Sequence, residues 1–190
     1  MKNFVTDYIN KQKQTLDTIP VGKVTEIVDL FREALKNDRQ IFVFGNGGSA
    51  ANASHFVTDL GKGSSDKTWR RFRCMSINDN TPWITALGND YSYDEIFVRQ
   101  LMNFAKPGDI LFTMSVSGSS PNLVTAAAWA RENGMKVVAL TGAKKGKLEG
   151  IADISLVVND EHYGRVEDAH MGVCHMIAYA FMENKSLQNP

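Results

Sequence analysis

The sequence predicts an α/β fold: a doubly wound, five-stranded parallel sheet preceded by two N-terminal helices. Three observations predict it. From residue 40 onward, short apolar runs alternate with longer helix-forming stretches, the pattern of a parallel sheet covered on both faces. Two of those runs stop in loops of small residues and restart as helices, which suits an open sheet with its ligand at the carboxyl edge. Residues 2–37 contain no such run and instead carry two stripes at helical spacing.

The first stripe, Val5, Tyr8, Ile9, Gln12 and Leu16, predicts a helix over 2–17, interrupted by Pro20. The second, Val24, Ile27, Val28, Phe31, Ala34 and Leu35, predicts a helix over 21–37. Residues 40–45, QIFVFG, are the first strand, followed by a helix over 48–61. Residues 61–69, GKGSSDKTW, have the polar, Gly-containing composition of a loop, and 70–77 alternate as a strand does. A short helix over 81–87 accepts Pro82 in its first turn and ends at Gly88. Residues 94–104 are helical, with Pro107-Gly108 as the stop. The strand 110–114 leads to a helix over 122–133, with Gly134 at its C-terminal cap. Strands over 136–140 and 154–158 flank a short helix within 144–150, and a last helix runs from near Gly164 to Asn184. No repeat, low-complexity segment or linker divides the chain, so residues 1–190 are expected to form one domain, with 1–37 a helical extension.

Lys plus Arg equals Asp plus Glu at 21 each, so the balanced charge gives no general attraction for nucleic acid or an anionic membrane. Cys74 and Cys174 are too few for a disulfide framework and sit in apolar runs, as reduced core thiols do. The amino end, MKNFVTDYINKQKQ, has no signal-peptide apolar region, and no run of about 18 apolar residues exists. A cytoplasmic protein without a membrane span is expected.

The two small-residue loops are the chemical centre of the sequence. Ser115-Val116-Ser117-Gly118-Ser119-Ser120 follows one strand, and Asn46-Gly47-Gly48-Ser49 follows the other. A strand that stops in Gly and Ser and restarts as a helix aims backbone N–H groups at one spot, where the helix dipole favours an anion. Serine hydroxyls add donors, which gives a phosphate cradle with no essential cation. No Gly-Lys-Ser/Thr closes the longer loop, so it is not a Walker A loop, nor is it GxGxxG. A plain strand-to-helix turn, with Ser119 or Ser120 as N-cap, is the alternative for that loop taken alone.

Four histidines complete the inventory: His55, His162, His170 and His175. His55 and Asp59 are i, i+4 and share one helix face; Glu167 and His175 share a broad face of the last helix. Imidazole and carboxylate together suit Zn²⁺, although a lone His/Asp pair is more often a surface pair. His162 falls in a turn and is read as solvated; His170 is read as structural.

FGNGGSAANASHF together with SVSGSS resembles the sugar isomerase (SIS) fold, a flavodoxin-like arrangement, and within it the phosphoheptose isomerases. The resemblance extends to Gly88-Asn89-Asp90, Leu140-Thr141-Gly142 and the segment Arg165 to His175. It implies conversion of sedoheptulose 7-phosphate to D-glycero-D-manno-heptose 7-phosphate through an enediol, in a homotetramer with the N-terminal helices at its centre. It also implies a zinc site of His55, Asp59, Glu167 and His175, with His175 and Asp59 as the acid–base pair. Asp59 stands where the family has Glu, Glu167 where it has Gln, Gly164 where it has Asp, and Val116 where Thr is usual. Asn46, Ser49, Ser115, Ser117, Ser120 and Glu167 are the expected substrate contacts. Asn89 and Asp90 are either further sugar contacts or the turn after Gly88. Two other functions fit parts of the pattern. One is a homotetrameric partner of the bacterial replication initiator, similar in Ser-Ala-Ala-Asn-Ala but lacking the terminal His. The other is a sugar-phosphate sensor, disfavoured by the lack of a helix-turn-helix extension.

Overall fold

The computed structural model describes residues 1–190. In chain order the elements are α1 (Lys2–Asp17), α2 (Val21–Lys36), β1 (Gln40–Gly45), α3 (Gly48–Thr58), β2 (Arg73–Ser76), α4 (Thr81–Asp90), α5 (Val98–Phe104), β3 (Ile110–Ser115), α6 (Pro121–Glu132), β4 (Lys136–Thr141), α7 (Leu148–Ile151), β5 (Ile154–Val157) and α8 (Tyr163–Glu183). The strands form one parallel sheet in the order β2-β1-β3-β4-β5.

Period-two alternation divides the core between the two faces. Ile41, Val43, Ile110, Phe112, Met114, Val138 and Leu140 point to the face covered by α2, α3 and α8. Phe42, Phe44, Leu111, Val137 and Ala139 point to the face covered by α5, α6 and α7. Both sides of each central strand are buried, which is why the strands read as continuous apolar runs.

Several boundaries differ from the sequence reading; α5 starts at Val98 rather than at 94, behind a separate 3₁₀ turn over Tyr93–Glu95. α3 passes directly into a π-helical turn, Asp59–Ser64, where a loop was expected from Gly61. The small hydroxyls make this possible: Ser64 Oγ donates to the Ala178 carbonyl (2.9 Å), and Ser65 Oγ to Leu60 (3.1 Å). β2 covers only four of the eight residues expected as strand. The Phe72 N–H is taken by Ser65 Oγ (2.9 Å) rather than by a ladder, and its ring packs edge-on against Phe181. α4 continues through Gly88 to Asp90. The helix expected within 144–150 shortens to α7, because the chain first makes a tight turn through Lys145 and Gly146, both at positive φ.

α1 docks mainly through polar contacts. Asp160 accepts hydrogen bonds from Thr15 Oγ1 (2.5 Å), from Arg165 Nε (2.6 Å) and Nη2 (2.9 Å), and from the His162 N–H (2.8 Å). The Arg165 hydrogen bonds hold its carboxyl well below the usual carboxylate range, with Thr15 and the His162 amide adding to them against the cost of burial. Phe4, Val5, Ile9 and Leu16 of α1 remain exposed on the single chain.

Candidate active site

β1 and β3 are neighbours, but the chain leaves β1 toward β2 and leaves β3 toward β4. Their carboxyl ends therefore flank the topological switch point, where open α/β sheets bind ligands. Both small-residue loops sit there. They line one cleft of about 70 Å³ that includes Asn46, Ser49, Ser115, Ser117, Ser120, Tyr163 and Glu167. The N-termini of α3 and α6 follow the two loops, so two helix dipoles favour negative charge at this edge.

The longer loop is internally braced. Ser115 Oγ accepts the Gly118 N–H (3.1 Å) and lies 3.4 Å from Ser117 Oγ, which in turn accepts the Ser119 N–H (3.3 Å). Ser120 is the N-cap residue of α6, yet its side chain makes no capping bond. Gly118 adopts φ +63°, and a Cβ there would overlap the Lys145 carbonyl oxygen. Only glycine allows the cradle to rest this closely on the turn after β4. The Leu148 N–H fastens the same contact through the Gly118 carbonyl (3.0 Å).

A second group lies further along α3 and α8, which pack side by side. Asp59 Oδ2 is 3.5 Å from His55 Nε2 and 3.5 Å from His175 Nε2, and the His55 and His175 rings meet edge-on at 5.1 Å. One ligand atom from each of the three residues can be chosen so that all lie within 4.8 Å of one another. Tetrahedral zinc with bonds of about 2.0–2.2 Å separates its ligands by about 3.5 Å. The two Asp59 distances match that demand, and the three side chains are of a type and spacing suited to such an ion.

Glu167, expected with this trio, stands apart from it. Eight residues of helix separate it from His175, about 12 Å along the axis. Its carboxylate instead lies against Gly48, where a Cβ would collide with it. A carboxylate there faces the N-terminus of α3 and is favoured by that dipole. Asn52 Nδ2 donates to the Glu167 carbonyl (2.9 Å) and ties the two helices together beside the cleft.

The SIS domain family model matches residues 7–142. The chain belongs to the SIS domain family. A probable phosphoheptose isomerase of Thermoplasma volcanium is 39% identical over 177 residues, covering 91% of this chain and 88% of that one. A solved phosphoheptose isomerase of Neisseria gonorrhoeae superposes with a TM-score of 0.87 at 30% identity, covering 95% of this chain and 97% of that one. Another from Francisella tularensis gives 0.88 at 25% identity, covering 96% and 98%.

The remaining residues singled out in the sequence fall elsewhere in this SIS domain. Asn89 and Asp90 are the exposed last residues of α4; Asn89 Nδ2 donates to Asp90 Oδ1 (2.9 Å), and neither lines the cleft. His162 is the N-cap of α8, accepting the Arg165 N–H, with Tyr8 edge-on to its ring. His170 is fully buried. Both cysteines are free, and burial raises both thiols, Cys74 to about 12.

Three residues near the cleft escaped the sequence reading: Asn122, Tyr93 and Tyr163. Asn122 is a buried amide in the first turn of the Ala-rich α6, bonded to Asn46 across the cleft. A polar residue in that otherwise apolar helix face was the available signal. Tyr93 reaches Asn46 from a separate 3₁₀ turn, a contact with no local signature.

Proposed function

We propose that this SIS domain is a phosphoheptose isomerase, converting sedoheptulose 7-phosphate to D-glycero-D-manno-heptose 7-phosphate. The observation that carries the reading is that α3 and α8 each bring one residue, Ser49 and Glu167, to the small-residue cleft and one histidine, His55 and His175, to the His/Asp/His group. Ser49 and His55 are six residues apart on α3, and Glu167 and His175 eight apart on α8, or about 9 and 12 Å of helix. An extended seven-carbon sugar phosphate has a length of that order, with its phosphate in the cradle and its carbonyl end toward the histidines. Relatives and solved neighbours that carry the name phosphoheptose isomerase over nearly the whole chain support the same reading.

The cradle binds the phosphate through backbone N–H groups and the hydroxyls of Ser117 and Ser120, while Ser115 holds the loop in shape. Asn46 and Glu167 line the path of the sugar hydroxyls. His175 and Asp59 then move the proton between the two carbons of the enediol and serve the carbonyl oxygen, a task suited to imidazole and carboxylate near neutral pH. Asp59 Oδ2 is the atom that faces both imidazoles. That leaves Oδ1 as the Asp59 atom able to hold a proton. His55, Asp59 and His175 would hold Zn²⁺, which when bound supplies Lewis-acid polarisation of a carbonyl; a His175 nitrogen that holds the metal cannot also take the proton, so the ligand and base roles of His175 alternate. A homotetramer assembled through α1 and α2 in the cytoplasm completes the proposal; no helix is long and apolar enough to cross a membrane.

The test is incubation with sedoheptulose 7-phosphate, with and without a chelator, followed by NMR. Conversion by the parent chain is expected, with His175→Ala reducing it to background while the unfolding transition is retained. The double substitution Asp59→Glu with Glu167→Gln is expected to keep or raise the rate. Parent protein that converts no heptose or pentose phosphate would end the isomerase reading.

A further inference from the structure

Asn46 and Asn122 join the two cradle loops through a reciprocal pair of side-chain hydrogen bonds. Asn46 Nδ2 donates to Asn122 Oδ1 (2.9 Å), and Asn122 Nδ2 donates to Asn46 Oδ1 (2.9 Å). Tyr93 Oη donates to the same Asn46 Oδ1 (3.2 Å). The orientation of both amides follows from one unambiguous donor. The Leu123 N–H, shared with the Ser120 carbonyl (3.1 Å), also points at Asn122 Oδ1 from 3.0 Å; an oxygen there accepts it, whereas an NH₂ would set donor against donor. That oxygen requires the Asn46 nitrogen opposite it, which places Asn46 Oδ1 toward Asn122 and Tyr93. Asn122 is 1% exposed, whereas Asn46 lines the cleft.

The consequence is a count of hydrogen-bonding positions. Both lone-pair positions of Asn46 Oδ1 are taken, and one of its two N–H groups is spent on Asn122. One N–H remains. We propose that Asn122 is a positioning residue that, with Tyr93, fixes Asn46 as a donor toward a substrate oxygen in the cleft. Without Asn122 the Asn46 amide keeps only Tyr93 to hold its oxygen back, and turning that oxygen toward an anionic or hydroxylated ligand becomes easier. This extends the isomerase reading and rests on it for the identity of the substrate, but the device itself is a property of the cleft.

A double-mutant cycle tests it, using Asn122→Ala, Tyr93→Phe and Asn46→Ala, alone and combined. Asn122→Ala is expected to lower kcat/KM for sedoheptulose 7-phosphate about ten- to a hundredfold, a misplacement effect. The loss should appear mainly as a higher KM, since the contact is made in ground and transition states alike. Tyr93→Phe should shift KM the same way by less. In the Asn46→Ala background neither change should raise KM further. Losses that multiply in that background, or an unchanged KM in Asn122→Ala, overturn the proposal. If Asn122→Ala does not fold, the Tyr93→Phe arm carries the cycle, because its exposed ring loses only a hydroxyl. If the parent chain turns over no heptose phosphate, the isomerase reading fails separately, and the cycle is read on calorimetric affinity for sedoheptulose 7-phosphate, which offers the cleft both a phosphate and sugar hydroxyls. There the same coupling supports the proposal and independent losses overturn it.

Discussion

At His170 the chain buries an imidazole with neither ring nitrogen in a hydrogen bond. Burial pushes its pKa down to about 4, offset in part by the neighbouring Thr141 backbone. The unfolded chain takes up this proton near pH ~6.5, while the native one refuses it until far lower. Between those values the unfolded state binds more protons, so stability falls as pH falls, by about 3 kcal/mol in all, and levels off below the folded pKa. Urea unfolding at about pH 7.5 and about pH 4.5 should show this loss in the parent and a smaller one in His170→Leu. Equal losses in the two proteins would remove His170 as the cause. The i, i+4 spacing of His55 and Asp59 made their shared helix face legible, whereas His175, on α8 and far from them in sequence, joined them only through the family resemblance. Glu167, expected both as a metal ligand and as a substrate contact, lies in the cleft and apart from the trio, its carboxylate drawn to Gly48 by a helix more than a hundred residues earlier in the chain. Asn122 was illegible because its partner Asn46 is 76 residues away.

Among the elements, the central strands were legible because both faces are buried and their composition is uniform. Edges and connections were not. β2 is cut short by a side-chain hydroxyl from Ser65, and the turn after α3 is helical because Ser64 finds a carbonyl on α8. The carbonyl that Ser64 finds is 114 residues away; the Ser65 contact spans only seven residues, but it is a side-chain contact that local composition does not announce. The cradle itself shows how far a connection depends on its neighbours. Gly118→Ala places a side chain at positive φ and against the Lys145 carbonyl. The expected cost is about 2–5 kcal/mol, from backbone strain and overlap together. Gly150→Ala is the control, since a Cβ there meets nothing within 4 Å. Chemical denaturation should lower the midpoint in the first and leave it nearly unchanged in the second. Phosphate affinity should fall only in the first.

For the whole molecule, the uncovered side of the N-terminal helices matters most. Phe4, Val5 and Ile9 on α1 are exposed, and a groove of about 760 Å³ runs between α2 and α8 past Val21, Val24, Val28, Met176 and Leu187, with Asp29 and Arg32 also in its lining. Burying such surface is favourable by about 25 cal/mol per Å². Light scattering at micromolar concentration is expected to give the mass of four chains, and Ile9→Asp to shift it toward smaller species without loss of helical signal. A monomer mass for the parent would refute the assembly. The docking of α1 also bears on how the chain is made. Thr15 must wait for Asp160, 145 residues later. At about 5–20 residues per second of synthesis that wait is on the order of ten seconds. A lone helix of 16 residues is marginal in water. α1, made before every strand of the sheet, is therefore among the last elements to find its place, and its exposed Phe4, Val5 and Ile9 must stay soluble during that wait.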